Sequence, residues 1–162
     1  KKLIFMGGEF GQEREWNHDQ SLDWHLLDDP HHAGVKQLMA DLNRVYKDSP
    51  ALWELDHAPE GFRWIDANDA DNNVISFYRT SADGNDHLVC IANLSPVPRD
   101  GFRVGLPKGG PFTEVLNTDA APYGGTNVGN MGVVESRPVE WHGLEHSAML
   151  TLPPLGVVWL RG

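Results

Sequence analysis

The sequence predicts a mainly β fold: an antiparallel β-sandwich over residues 56–162, preceded by a strand–loop–helix piece over residues 1–50. Two patterns predict it. From Phe62 onward, eight short apolar or alternating runs (62–65, 74–80, 87–94, 102–106, 112–117, 133–136, 148–152 and 157–160) follow one another at sandwich-like spacing. Turn signals rich in Gly, Pro, Asn and Asp separate them, as at 69–73, 83–85, 96–98 and 107–110. Ahead of Ser49 the pattern is different: one apolar tetrad, a long polar stretch and one helical stripe.

The tetrad is Leu3, Ile4, Phe5 and Met6, which suits a strand covered on both faces, and Gly7 and Gly8 stop it. A carboxylate-rich stretch with two tryptophans, Trp16 and Trp24, then runs to a helix expected from about Ala33. Most strand-to-helix connections span roughly 2–6 residues, and much longer ones are functional or disordered. The aromatic residues interleaved with charges argue for function. In a (β/α) barrel such a loop lies on the substrate-facing rim. The helix is read from Val35, Leu38, Met39, Leu42, Val45 and Tyr46, spaced three and four apart, and Ser49-Pro50 ends it. Residues 51–55 fit one further helical turn, and the boundary between the two parts falls between Ser49 and Gly61.

Composition narrows the function classes. Thirteen basic against 23 acidic residues give a net charge of −10 in 162 residues, which opposes nucleic acid and anionic membranes and suits a neutral partner. The lone cysteine, Cys90, excludes an internal disulfide and reads as a small buried hydrophobe. With no signal peptide and no apolar run of membrane length, the expected setting is the cytoplasm.

The segment MGGEFGQEREWNHDQSLDWHLL (6–27) resembles the stretch after the eighth barrel strand of bacterial 1,4-α-glucan (glycogen) branching enzymes, members of the α-amylase superfamily. The resemblance continues through DLNRVYKDSPALWELD, GFRWID, NLSPVPR, EVLNTDAAPYGG and LTLPPLGVVWL, and so covers nearly the whole chain. It implies a C-terminal fragment, consistent with a start at Lys1 rather than Met. Residues 1–50 would be the last strand, loop and helix of a (β/α)8 barrel, and residues 56–162 the C-terminal all-β domain. The family's reaction cuts an α-1,4-glucan chain and rejoins it as an α-1,6 branch. It uses paired carboxylates about 5–5.5 Å apart, without metal or organic cofactor. These sit at the ends of barrel strands 4, 5 and 7, so the resemblance puts no catalytic residue in this chain. The chain alone is then expected to be inactive, supplying barrel closure, part of the glucan subsite wall and a stabilising β domain. A stand-alone carbohydrate-binding or structural β module is the alternative.

Candidate glucan contacts follow from residue chemistry. Trp16 and Trp24 offer flat apolar faces to pyranose rings, while Gln12, Arg14 and Asn17 can hydrogen-bond hydroxyls, with Glu9 and Asp23 in the same wall. The competing roles are packing for Trp24 and pairing with a neighbouring Glu for Arg14. In the β domain, alternation puts Trp64 on the face of Phe62 and opposite Ile65, either as core or as an exposed sugar platform. Trp159 reads as core. His142, Glu145 and His146 spell a zinc-peptidase pattern, but Gly143 and the strand that follows deny it the helix such a site needs. The glycine-rich run 124–130 lacks phosphate-loop spacing. Finally, the tetrad and the helix stripe are too apolar to stay wet. They are expected to be covered by the remainder of a parent enzyme, or by self-association through residues 1–48.

Overall fold

A computed structural model describes residues 3–162. The helix α1 spans Pro30–Asp48. Its start is fixed chemically: the Asp29 carboxylate accepts the His31 N–H at 2.7 Å, and Pro30 occupies the first turn, where its missing N–H costs nothing. A 3-10 turn, Pro50–Leu52, follows directly. Eight strands come next: β1 Phe62–Asp69, β2 Val74–Thr80, β3 His87–Asn93, β4 Arg99–Leu106, β5 Gly110–Asn117, β6 Val133–Ser136, β7 His146–Leu152 and β8 Gly156–Arg161.

Six of them form one sheet in the order β1-β2-β3-β8-β5-β6, and β4 pairs with β7 in a second; all pairings are antiparallel. The inner faces enclose the main core, where Val89, Ile91, Val104, Leu106, Phe112, Leu152, Val158 and Leu160 are fully buried. Two strands, β1 and β4, exceed their sequence pattern most, by four and three residues. Irregular pairing falls between Trp64 and Asp66 in β1 and between Arg99 and Phe102 in β4, where Gly101 adopts φ 63°. A bulge breaks the alternation, so only the regular part of each strand is legible as a strand.

A second, smaller core lies on the outer face of the large sheet. Val45 from α1, Ala51 and Leu52 from the 3-10 turn and Leu88 from β3 are buried together, with Tyr46, Val115 and Trp159 packed on them. Trp159 therefore faces the helix rather than the main core. Its neighbours in β8, Val158 and Leu160, point the other way, as a period of two requires. The Asp86 carboxylate holds this junction, accepting the Ala51 N–H at 3.0 Å and pairing with Arg161.

The expected strand at 3–6 does not form within this chain. A strand exists through its neighbours, and none of the eight strands pairs with this tetrad. Leu3, Ile4, Phe5 and Met6 are exposed, Leu3 at 88%. Leu3 and Ile4 instead border an apolar trough of about 700 Å³, shared with Met39 and Leu42 of α1 and with Trp159. Of the segments 1–50 and 1–48, residues 1 and 2 lie outside the described residues.

Stability should follow the two cores. Urea unfolding of Leu160→Ala is expected to show a loss of about 2–5 kcal/mol, the range for truncating a fully buried leucine. Val35→Ala, on the exposed part of the helix stripe, should cost less than about 1 kcal/mol.

Candidate functional site

The long loop is ordered by its own side chains. Gly7, at φ 83°, turns the chain where a Cβ would lie 2.8 Å from Gln12 Cβ, so the position requires glycine. A 3-10 turn, Gly8–Phe10, buries Phe10 completely, and the Phe10 carbonyl is bonded to the His32 ring at 2.9 Å. Trp24 packs on Phe10 with ring centroids 5.1 Å apart and stays half-exposed. The loop is thus pinned to the first turn of α1.

A second knot closes the loop on itself. Gln12 Oε1 accepts the Asp23 N–H at 2.9 Å, and its amide nitrogen donates to the Arg14 carbonyl at 2.9 Å. Arg14 grips both Asp23 oxygens, with Nε donating to Oδ2 at 2.9 Å and Nη2 to Oδ1. The Arg14 hydrogen bonds hold the Asp23 carboxyl below the usual carboxylate range. Arg14 accordingly pairs with Asp23 rather than with a neighbouring Glu.

The remaining candidates are placed as follows. Trp16 is 40% exposed and meets Phe5 edge-on at 5.6 Å, beside a shallow trough of about 550 Å³ that Met6, Gln12, Arg14 and Glu15 also line. Asn17 Oδ1 accepts the Asp19 N–H at 3.0 Å, shaping the tip. Glu9 is half-buried in the 3-10 turn. The structure therefore brings Gln12, Arg14, Trp16 and Asp23 together around one loop, while Trp24 packs against Phe10. Trp64 stands apart, 57% exposed on the edge strand β1, in edge-on contact with Phe62 at 5.0 Å and Phe77 at 5.9 Å.

Sequence reasoning missed the groups that hold the loop in place. Phe10 and His32 are two. A third is Tyr123, from the run 121–123 between β5 and β6, whose hydroxyl donates to Asp41 of α1 at 2.8 Å. Burial and that bond push the Tyr123 phenol up to about 12. The tyrosine sits against Gly34, where a Cβ would come within 2.8 Å of the Tyr123 carbonyl. The glycine-rich run beyond it is organised by Asp119, which accepts the Thr126 N–H, the Thr126 hydroxyl and the Val128 N–H at 2.7–3.0 Å. An isolated Phe in a polar loop and a Gly inside a helix were the available signals.

The other motifs of the sequence are placed as follows. His142 lies in a turn at φ 53° and His146 opens β7, so the two do not share a helix face. Among the described residues no group of three or more His, Cys, Asp or Glu is placed to hold a metal. Burial pushes the Cys90 thiol up to about 12, which leaves it a packing residue.

Residues 64–162 match the family model described as the alpha amylase, C-terminal all-beta domain. The chain belongs to that family. It is 57% identical over 160 residues to the 1,4-alpha-glucan branching enzyme GlgB of Cereibacter sphaeroides, covering 99% of this chain and 22% of that protein. The GlgB of Myxococcus xanthus is 56% identical over 159 residues, with 98% of this chain and 22% of that protein covered. The chain thus spans about a fifth of the length of these curated relatives. Among solved structures, a MutB mutant from crystals soaked with trehalulose aligns over 87% of this chain and 20% of its own, with TM-score 0.50 and 18% identity. That likeness speaks to the fold. No described helix is long and apolar enough to cross a membrane.

The loop knot is open to a direct check. Carbon-13 titration of the Asp23 carboxyl should show a midpoint below 3.8, the ordinary value. Because the folded value is depressed, the knot is intact above 3.8 and opens as pH falls through the folded midpoint. In Arg14→Ala the midpoint should rise toward 3.8; an unchanged midpoint would detach the two residues.

Proposed function

We propose that this chain is the C-terminal part of a 1,4-α-glucan branching enzyme, acting within the whole protein rather than alone. In this reading residues 1–50 close a (β/α)8 barrel, the loop walls part of the glucan path, and the all-β domain of residues 56–162 braces the last barrel helix. The observation that carries it is the unfinished face. Leu3 and Ile4 of the exposed tetrad, the part-buried Met39 and Leu42 of α1 and Trp159 border one trough, while Phe5 and Met6 line a second one beside Trp16.

Apolar side chains of this size contribute roughly 1.5–3 kcal/mol each when buried. A barrel would supply the missing neighbours, pairing the tetrad as a strand and covering Met39 and Leu42, the part of the helix stripe beside the trough, whereas Val45 and Tyr46 already pack on the outer face of the large sheet. The GlgB relatives, 56–57% identical across the whole length including the loop, support the same assignment.

Within the loop, Trp16 and Trp24 would stack on glucose rings and Gln12, Arg14, Glu9 and Asn17 would meet hydroxyls. Asp23 would act chiefly by fixing Arg14 and Gln12. Trp64 would be a separate platform on β1, its exposed indole held edge-on by Phe62 and Phe77. The reaction needs no metal or organic cofactor from this chain, and its catalytic carboxylates would come from the rest of the enzyme. The proposed setting is the cytoplasm.

Replacing the matching 160 residues of the Cereibacter sphaeroides relative by this chain tests the assignment. The chimaera should branch amylose, read as the shift of the iodine complex and the appearance of α-1,6 linkages, while the 162-residue chain alone should give neither. Trp16→Ala in the chimaera should lower kcat/KM about tenfold or more, equivalent to about 1.4 kcal/mol. A folded chimaera without branching activity, or turnover by the isolated chain, would overturn it.

A further inference from the structure

Helix α1 is buried at two points only. Of its 19 residues, Gly34 and Val45 are the ones withdrawn from solvent. Val45 lies in the smaller core with Leu88. Gly34 lies nearer the N-terminus, about 16 Å along the axis at 1.5 Å per residue, against the Ala121–Tyr123 turn of the β domain. The long loop hangs from this N-terminal end. A helix fixed at Val45 alone would be a lever with the loop at its tip.

Tyr123 is a strut along that end. Its carbonyl would lie 2.8 Å from a Cβ on Gly34, and its hydroxyl donates to Asp41 Oδ2 at 2.8 Å. Gly34 and Asp41 stand two turns apart on one face of the helix, so a single tyrosine spans both turns. Asp41 is itself held, accepting from Gln37 at 3.0 Å and from Arg44 at 2.8 Å. With the phenol pushed up to about 12 by burial and by Asp41, Tyr123 stays a donor at neutral pH. Behind it, the segment is tied to the large sheet. The Thr118 N–H donates to the Val157 carbonyl at 3.0 Å, and the Thr118 hydroxyl accepts the Val157 N–H at 2.8 Å.

The loop grips the opposite side of the same turns. His32 is displaced from Gly34 by about 200° around the helix, and its ring holds the Phe10 carbonyl at 2.9 Å. Gly11 sits over His32 and Val35, which lie 3.8 and 4.0 Å from the place of its missing Cβ. Order then passes from Phe10 to Trp24, which packs on its ring, and from Gly11 to Gln12, which holds Asp23 and so Arg14.

We propose that Tyr123 is a positioning residue for glucan transfer: through Gly34 and Asp41 the β domain sets the angle of α1, and through His32 that angle sets how the loop meets the glucan. The part in glucan transfer rests on the functional reading above. The action on the loop rests on the geometry of this chain.

Amide hydrogen exchange on the 162-residue chain tests that action. In Tyr123→Phe the bonded loop amides, those of Gln12 and Asp23 among them, should exchange about three- to tenfold faster, the factor that one hydrogen bond is worth. The amides of β3 and β8 should keep their rates. Asp41→Ala should act alike, and adding Tyr123→Phe to it should change nothing further. Asp41→Asn keeps an acceptor oxygen and should restore slow exchange in part. In the chimaera, Tyr123→Phe should lower kcat/KM for branching by the same factor, and by less when Trp24→Ala is already present. Unchanged loop rates would overturn the proposal. So would acceleration spread equally over β3 and β8, additive effects of the Tyr123 and Asp41 variants, or unchanged kcat/KM in a chimaera whose loop exchanges faster. An unmutated chimaera without activity defeats the functional reading instead, on which the exchange rates do not depend.

Discussion

The pairing of β3 with β8, Val89 opposite Leu160 and Ile91 opposite Val158, places two strands at the centre of the large sheet where both faces must be covered. One face meets β4 and β7 and forms the main core; the other meets α1 and the Pro50–Leu52 turn. The second contact sets where α1 lies. The position of α1 in turn sets the loop, because Phe10 docks on its first turn through His32 and Tyr123 holds its middle through Asp41. The β domain therefore acts on the loop through a helix, across two hydrogen bonds and a buried phenylalanine.

This arrangement explains what was legible beforehand. All eight strands show in the sequence because each is a short alternating or continuously apolar run bounded by turn residues. The helix shows because its stripe repeats at three and four residues. The extra length of β1 and β4 was hidden by bulges, which shift the phase that the eye follows. The facing of Trp159 was hidden because β8 is apolar on both sides, and a continuous apolar run does not reveal which core each residue joins. The tetrad at 3–6 has a strand's composition without a strand's partners, so composition alone could not give its conformation in this chain.

The candidate site was legible as a place more than as a mechanism. Loop length and the mixture of Trp, Arg, Asn and carboxylates marked it. The roles inside it divided in a way the sequence does not encode: Asp23 is 8% exposed and bound to Arg14 and Gln12, while Trp16 and Trp24 remain available at the surface. Trp64 was open to two readings, and its 57% exposure places it outside the core.

The central claim is that the apolar tetrad and the stripe residues Met39 and Leu42 form a face awaiting a barrel. Amide hydrogen exchange at residues 3–6 measures it most directly, compared between the 162-residue chain and the chimaeric branching enzyme. The account predicts exchange near the unprotected rate in the chain alone, because these residues make no strand pairing there, and strong protection in the chimaera, where they become a paired strand. Equal exchange in both, whether fast or slow, would contradict it.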